Sequence, residues 1–198
     1  MDIQTLFSLT LFSLATLGSP GPNNLMLMAS GANFGLRRTF PHMAGVAYGF
    51  PLMVLGVGVG VMQIFALWPV TETILKFVSV AYLLWLAWKI ARADAPGKGR
   101  SGARPLSFLQ AAAFQWVNPK AWSMAIAAVT LYAPDRSVGA ILLVVISFAL
   151  FGSLTAPFWT SLGTVVRRWL DQPGRLRLFN RTAAALLVLS MVPLLAGA

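Results

Sequence analysis

Two short polar motifs interrupt long apolar segments and contain the side chains best suited to chemistry. One is Pro20-Gly21-Pro22-Asn23-Asn24, and the other is Asn118-Pro119-Lys120, preceded by Gln115. Proline lacks an N–H and glycine permits dihedrals that other residues resist, so each motif predicts a break in a helix. A break leaves C=O groups unpaired where the first half-helix ends and N–H groups unpaired where the second begins.

Such breaks favour the binding of a ligand that carries both charges. The start of a half-helix attracts a carboxylate, and exposed carbonyls attract an ammonium group, so a zwitterionic amino acid fits both. The amides of Asn23 and Asn24 can contact a ligand or cap the helix. The predicted substrate-binding residues are Pro20, Gly21, Pro22, Asn23, Asn24, Gln115, Asn118, Pro119 and Lys120. The alternative is a proline kink whose asparagines only cap freed backbone groups.

Lys120 is the sharpest signal because it lies near the middle of an apolar segment. An unpaired charge there costs on the order of 2.5–3.5 kcal/mol. The acidic residues lie at or near segment ends: Asp2, Glu72, Asp94, Asp135 and Asp171. Lys120 is therefore expected to pair with carbonyls at a helix break or with a ligand carboxylate, unless it extends to a membrane interface.

The composition places the chain in a lipid bilayer. Hydrophobic residues make up 58% of it, charged residues only 10%, and the mean hydropathy is +0.75. A helix of about 20 apolar residues crosses the hydrocarbon, and six such segments fit. They run over Ile3–Ala32, Phe40–Leu67, Thr73–Ala91, Leu106–Tyr132, Val138–Val166 and Thr182–Gly197.

Other classes of protein are disfavoured. The net charge of +10 comes from short basic clusters between apolar segments, which indicates topology signals and not a nucleic-acid surface. No cysteine is present and His42 is the sole histidine, so neither a metal site nor a cofactor is expected. His42 neighbours Arg37 and Arg38, which predicts an interfacial position.

The connecting sequences divide the chain into two halves of one membrane domain. Residues 93–105 form a polar linker between residues 1–92 and 106–198. Asn33–Thr39 is expected to be a polar turn, and Arg167–Arg181 a basic loop. Gly45-x-x-x-Gly49 and Gly56-x-x-x-Gly60 predict packing faces, within one protomer or in a homodimer.

The basic residues of the connections predict the orientation. They concentrate after the first, third and fifth segments, so these connections are expected in the cytoplasm and both termini in the periplasm. Two halves of three spans each then cross the membrane in opposite senses. The predicted fold is an all-α membrane protein built as two inverted three-helix repeats, with helices 1 and 4 broken. Secondary transporters share this plan, with the substrate site at the repeat interface.

The motifs resemble those of the LysE/RhtB family of bacterial amino-acid exporters. The resemblance rests on Pro20-Gly21-Pro22-Asn23-Asn24, Gly35-Leu36-Arg37-Arg38 and the run from Phe114 to Ala121, and it covers essentially the whole chain. The segment Ala81–Lys89 is similar to the family's third span and favours its cysteine and O-acetylserine branch. The resemblance implies efflux across the inner membrane in exchange for protons, although the sequence has no carboxylate at mid-depth.

Two other classes remain open from the residues alone. A channel or membrane scaffold would show no saturable, gradient-dependent transport. An intramembrane enzyme would need a nucleophile and a base, or a metal set, at compatible depth.

Overall fold

The described part of the structure, a computed structural model, is entirely helical. It comprises residues 2–92, 104–167, 169 and 173–192. The helices are α1 (Ile3–Gly18), α2 (Pro22–Gly58), α3 (Met62–Leu67), α4 (Val70–Ala91), α5 (Phe108–Val117), α6 (Pro119–Tyr132), α7 (Val138–Arg167) and α8 (Pro173–Leu189). By length and composition, α2, α4 and α7 can cross a membrane, and α1 is a shorter apolar helix. These features confirm the prediction of an all-helical membrane protein.

Helix ends fall at both polar motifs. The helix α1 ends at Gly18 and α2 begins at Pro22, so Ser19, Pro20 and Gly21 lie between them. In the second motif, Asn118 is at once the last cap of α5 and the first cap of α6, which begins at Pro119. Proline suits the first position of a helix because that N–H has no partner within the helix anyway.

The polar turn expected at Asn33–Thr39 is much shorter than predicted. Two helical stretches of α2 meet at a kink at Gly35, the one residue there that departs from helical geometry, with φ 77° and ψ 170°. Glycine adopts this positive φ without steric cost. The Thr39 hydroxyl donates to the Gly35 carbonyl at 2.8 Å. A single residue therefore redirects the chain, and the arginines Arg37 and Arg38 lie on the helix that follows.

Other predicted boundaries also shift. The second segment ends early, at Gly58, and Gly60 (φ 105°) makes a turn before α3. The last helix begins at Pro173, within the expected basic loop. Its Leu176 is buried while Arg175, Arg177 and Arg181 are exposed, so one face packs and the other carries charge. Most of the predicted linker, residues 93–103, lies outside the described residues.

Helices α2 and α7 form the centre of the molecule and approach closely enough for backbone contact. A Cβ added at Gly31 would collide with the carbonyl of Thr160, and one at Gly163 with the carbonyl of Met28. No side chain fits at either position, which is the usual way that helices pack tightly in lipid. This contact joins the first half of the chain to the second.

The two predicted glycine faces behave differently. Gly45 and Gly49 face α5, where an added Cβ would collide with the Phe108 carbonyl or with Ala112. Gly60 lies in the turn before α3, so Gly56 and Gly60 do not form one helical face as predicted.

Two buried clusters divide the molecule along its length. One contains Leu27, Val46, Leu86 and Phe114, and the other contains Phe50, Ala121, Tyr132 and Phe148. Near the first, the amide of Asn33 donates to that of Asn180 at 3.0 Å. Near the second, the hydroxyls of Ser8 and Tyr132 lie 2.9 Å apart. The first cluster contains Leu86 and Leu106, which lie close in sequence to Lys89 and Arg104, so it lies at the end with the basic connections.

Candidate functional site

The carbonyl end of α1 is capped from across its own break. The Asn24 amide donates to the carbonyls of Leu17 and Ser19, at 2.7 and 2.8 Å. Asn24 is buried, so these carbonyls would otherwise lack a donor in an apolar setting. The sequence left Asn24 to contact a ligand or to cap the helix that it begins, whereas in the structure its amide caps the helix that precedes it.

Lys120 reaches the same helix end from the second motif. Its ammonium group lies 2.9 Å from the carbonyl oxygen of Ser19, 2.8 Å from the Ser19 hydroxyl and 3.3 Å from the carbonyl oxygen of Pro20. The half-buried cation is therefore satisfied by neutral oxygens at the end of α1, where the helix dipole is negative. The sequence left two partners open for Lys120, the carbonyls at a helix break and a ligand carboxylate. In the structure Lys120 contacts carbonyls at the break.

A second contact joins the motifs in the opposite direction. The Asn23 amide donates to the Gln115 side chain at 2.8 Å, and Gln115 donates back at 3.1 Å. Gln115 also donates to the Ala111 carbonyl within α5, and its side chain is fully buried. This amide pair links the start of α2 to the end of α5.

The two contacts are related by a crossed arrangement. Asn23 and Lys120 each follow the proline that begins the second half-helix, and each reaches the end of the first half-helix in the other motif. Asn118 also accepts a hydrogen bond from the backbone N–H of Lys120 at 3.2 Å. The same position in each motif thus makes the bridging contact.

At Gly21 the missing side chain leaves space for the flexible end of Lys120, and the backbone dihedrals are not unusual. Its backbone is extended, with φ 178° and ψ 178°, which any residue adopts. A Cβ at Gly21 would lie 2.8 Å from Cδ and 2.9 Å from Nζ of Lys120. The expectation that Gly21 supplies special backbone freedom is therefore wrong, and its missing side chain lets Lys120 pass.

A small cavity lies between the two buried clusters, where the motifs meet. Its volume is about 30 Å³. Five predicted site residues line it: Gly21, Asn23, Asn24, Asn118 and Lys120. A space of this size holds water but not an amino acid. The cavity is therefore smaller than an amino acid.

The other predicted residues contribute indirectly. Pro20 offers its carbonyl to Lys120, Gln115 acts through Asn23, and Pro22 and Pro119 begin α2 and α6. Sequence reasoning missed Ser19, which supplies two of the three oxygens around Lys120. Its position just before Pro20 was the available signal, because a helix ends before such a residue and leaves carbonyls free.

His42, expected at the interface, is buried within the protein, with only 2% of its surface exposed. Trp116 and Trp122 stack edge to face, and the Trp122 indole donates to the Trp116 carbonyl at 2.8 Å.

Comparison with known proteins gives one consistent answer. The family described as LysE type translocator matches residues 14–196. The chain is 29% identical, over 83% of its length and 85% of theirs, to proteins named cysteine/O-acetylserine efflux protein from Escherichia coli strain K12 and Shigella sonnei strain Ss046. No solved structure matches it.

The family match and the relatives named as efflux proteins indicate a membrane transporter and not an enzyme. The chain belongs to the LysE type translocator family. The predicted resemblance to this family and to its cysteine branch is thereby confirmed.

The cap on α1 can be tested through stability. Asn24→Ala should lower the free energy of unfolding by about 1–3 kcal/mol, because the Leu17 carbonyl loses its donor. Thermal and denaturant unfolding in detergent would measure the change. Ser123→Ala is the control, since Ser123 is exposed and bonds only Pro119 of its own helix. Equal stability of Asn24→Ala and the parent would contradict the assigned cap.

Proposed function

We propose that this chain exports an amino acid or a close derivative from the cytoplasm across a bacterial inner membrane. The observation that carries the proposal is the contact of Lys120 with Ser19 and Pro20. It joins two interrupted helices at a cavity and combines a cation with carbonyl oxygens. Relatives named for efflux of cysteine and O-acetylserine support an amino-acid substrate of small size.

The contact suggests how a zwitterion would bind. The substrate carboxylate would draw the ammonium of Lys120 away from Ser19 and Pro20. The freed carbonyls would then accept the substrate ammonium group. Each polar group keeps a partner before and after this exchange, which matters because unsatisfied groups are costly in an apolar site. The residue that caps α2 is Gly21, which has no side chain to bond the N–H groups of the first turn. These N–H groups would add donors for the substrate carboxylate.

The same exchange would couple binding to movement. We propose six spans in two inverted repeats, with α1 and the start of α2 as one broken span and α5 and α6 as the other. The crossed pairs Asn23–Gln115 and Lys120–Ser19 support this relation. Because Lys120 ties one repeat to the other, its release by substrate would let the repeats rock and expose the site to alternate sides.

The proposed orientation places the basic end in the cytoplasm and the termini in the periplasm. Arg37, Lys89, Arg104 and the exposed arginines of α8 belong to that end. The excess of basic residues in cytoplasmic connections supports it.

Proton exchange is part of the proposal. Among the described residues that line the central cavity, Lys120 is the one titratable group. It would carry the proton after losing its carbonyl partners. A homodimer would add no residue to this site, because both bridging contacts form within one chain.

Substitution of Lys120 tests the substrate site. Lys120→Met should lower export of cysteine or O-acetylserine at least about tenfold, as expected for loss of a charge-assisted hydrogen bond. Export is measured in loaded cells with matched protein levels, across a panel that includes lysine and arginine. Lys76→Met, which removes a cation from α4, should retain full export. Unchanged export by Lys120→Met would overturn the site assignment.

Locking the repeats together tests alternating access. The hydroxyls of Ser13 in α1 and Ser147 in α7 lie 3.0 Å apart, which brings their Cβ atoms within reach of a disulfide. The chain has no cysteine, so Ser13→Cys/Ser147→Cys introduces the pair alone. Oxidation should stop transport in proteoliposomes, and reduction should restore it. Each single variant should transport equally well with and without oxidant. Full transport by the oxidised pair would exclude rocking between these helices.

A further inference from the structure

A second cavity lies at the basic end of the molecule, apart from the central one. Its volume is about 70 Å³. Its polar lining comes from α2, the end of α4 and the chain before α5, and includes Ser30, Asn33, His42, Lys89 and Arg104. None of its described lining residues also lines the central cavity. It is therefore a separate place for a ligand to bind.

His42 is the buried polar group in this cavity that lacks a partner. Neither ring nitrogen makes a hydrogen bond within the described part of the chain, although the side chain is 2% exposed. Ser30 and Asn33 are satisfied, since Ser30 lies 3.3 Å from the Thr39 hydroxyl and Asn33 donates to the Ala29 carbonyl. Buried polar groups are normally paired, so an imidazole without a partner indicates that something else completes it.

The charges around the cavity select an anion. Lys89 and Arg104 are exposed at its edge, and none of its described lining residues is acidic. The ammonium of Lys89 also lies 5.2 Å from the centre of the Trp85 ring. An imidazole N–H with an ammonium and a guanidinium makes a set of donors that matches the oxygens of a carboxylate. The volume exceeds that needed by one water molecule.

We propose that this cavity is a second binding site that takes a small carboxylate, with His42 as the buried hydrogen-bond donor and Lys89 and Arg104 as the charged partners. The carboxylate comes from the transported amino acid before it reaches the central site, or from a free organic acid. The identification of the transported amino acid as a source rests on the proposed function. The binding of a carboxylate in this cavity is independent of it.

The single histidine allows a direct test. Protein labelled with ¹³C and ¹⁵N in histidine, purified through a tag without histidine and placed in nanodiscs, gives one imidazole signal, which His42→Gln removes. Acetate should shift this signal saturably, and acetamide, its neutral counterpart, should not. In Lys89→Gln/Arg104→Gln the acetate dissociation constant should rise about tenfold or more. Lys76→Gln is the matched control and should bind acetate as the parent does.

The outcomes separate this site from the central one. The absence of a saturable shift, equal effects of acetate and acetamide, or an unchanged dissociation constant in the double variant would overturn the proposal. O-Acetylserine binding here identifies the transported amino acid as a source, and binding of acetate alone identifies a free-acid site. Lys120→Met should keep the acetate titration while losing export. An acetate titration in a parent protein that exports no amino acid would refute the proposed function alone.

Discussion

The ammonium group of Lys120, held by the oxygens of Ser19 and Pro20, is the interaction on which the rest of the site depends. A cation at mid-depth and the open end of a helix are each unfavourable in an apolar environment. Together they satisfy one another. Asn24 completes the cap on α1, and Gly21 leaves the path through which the lysine side chain passes. The polar centre can therefore exist without an acidic partner.

The surrounding packing explains why this contact lies at a junction. Helices α2 and α7 touch at Gly31 and Gly163, which packs the first half of the chain closely against the second. The central cavity lies between two apolar clusters and holds little more than water. Polar pairs that cross such an interface satisfy groups that would otherwise be unpaired in an apolar setting.

The sequence predicted the parts of the site whose chemistry is local. Proline starts α2 and α6, and Lys120 could be identified because a charge in an apolar segment needs a partner. The sequence did not show which oxygens contact Lys120, because Ser19 meets Lys120 only through tertiary packing. The burial of His42 was missed for the same reason. Neighbouring arginines indicated an interface, and the fold covers the imidazole with α4 and the chain before α5.

The most direct test of the central claim is the distance between the Lys120 ammonium and the Ser19 carbonyl in lipid, with and without substrate. Solid-state NMR dipolar recoupling between ¹⁵N-lysine side chains and ¹³C-serine carbonyls measures it, and Lys120→Met identifies the signal. Without substrate the coupling should give the nitrogen-to-carbon distance of a hydrogen bond whose N–O distance is 2.9 Å, and saturating O-acetylserine should weaken it. A coupling that is absent from the start, or unchanged when substrate is bound, would contradict the account.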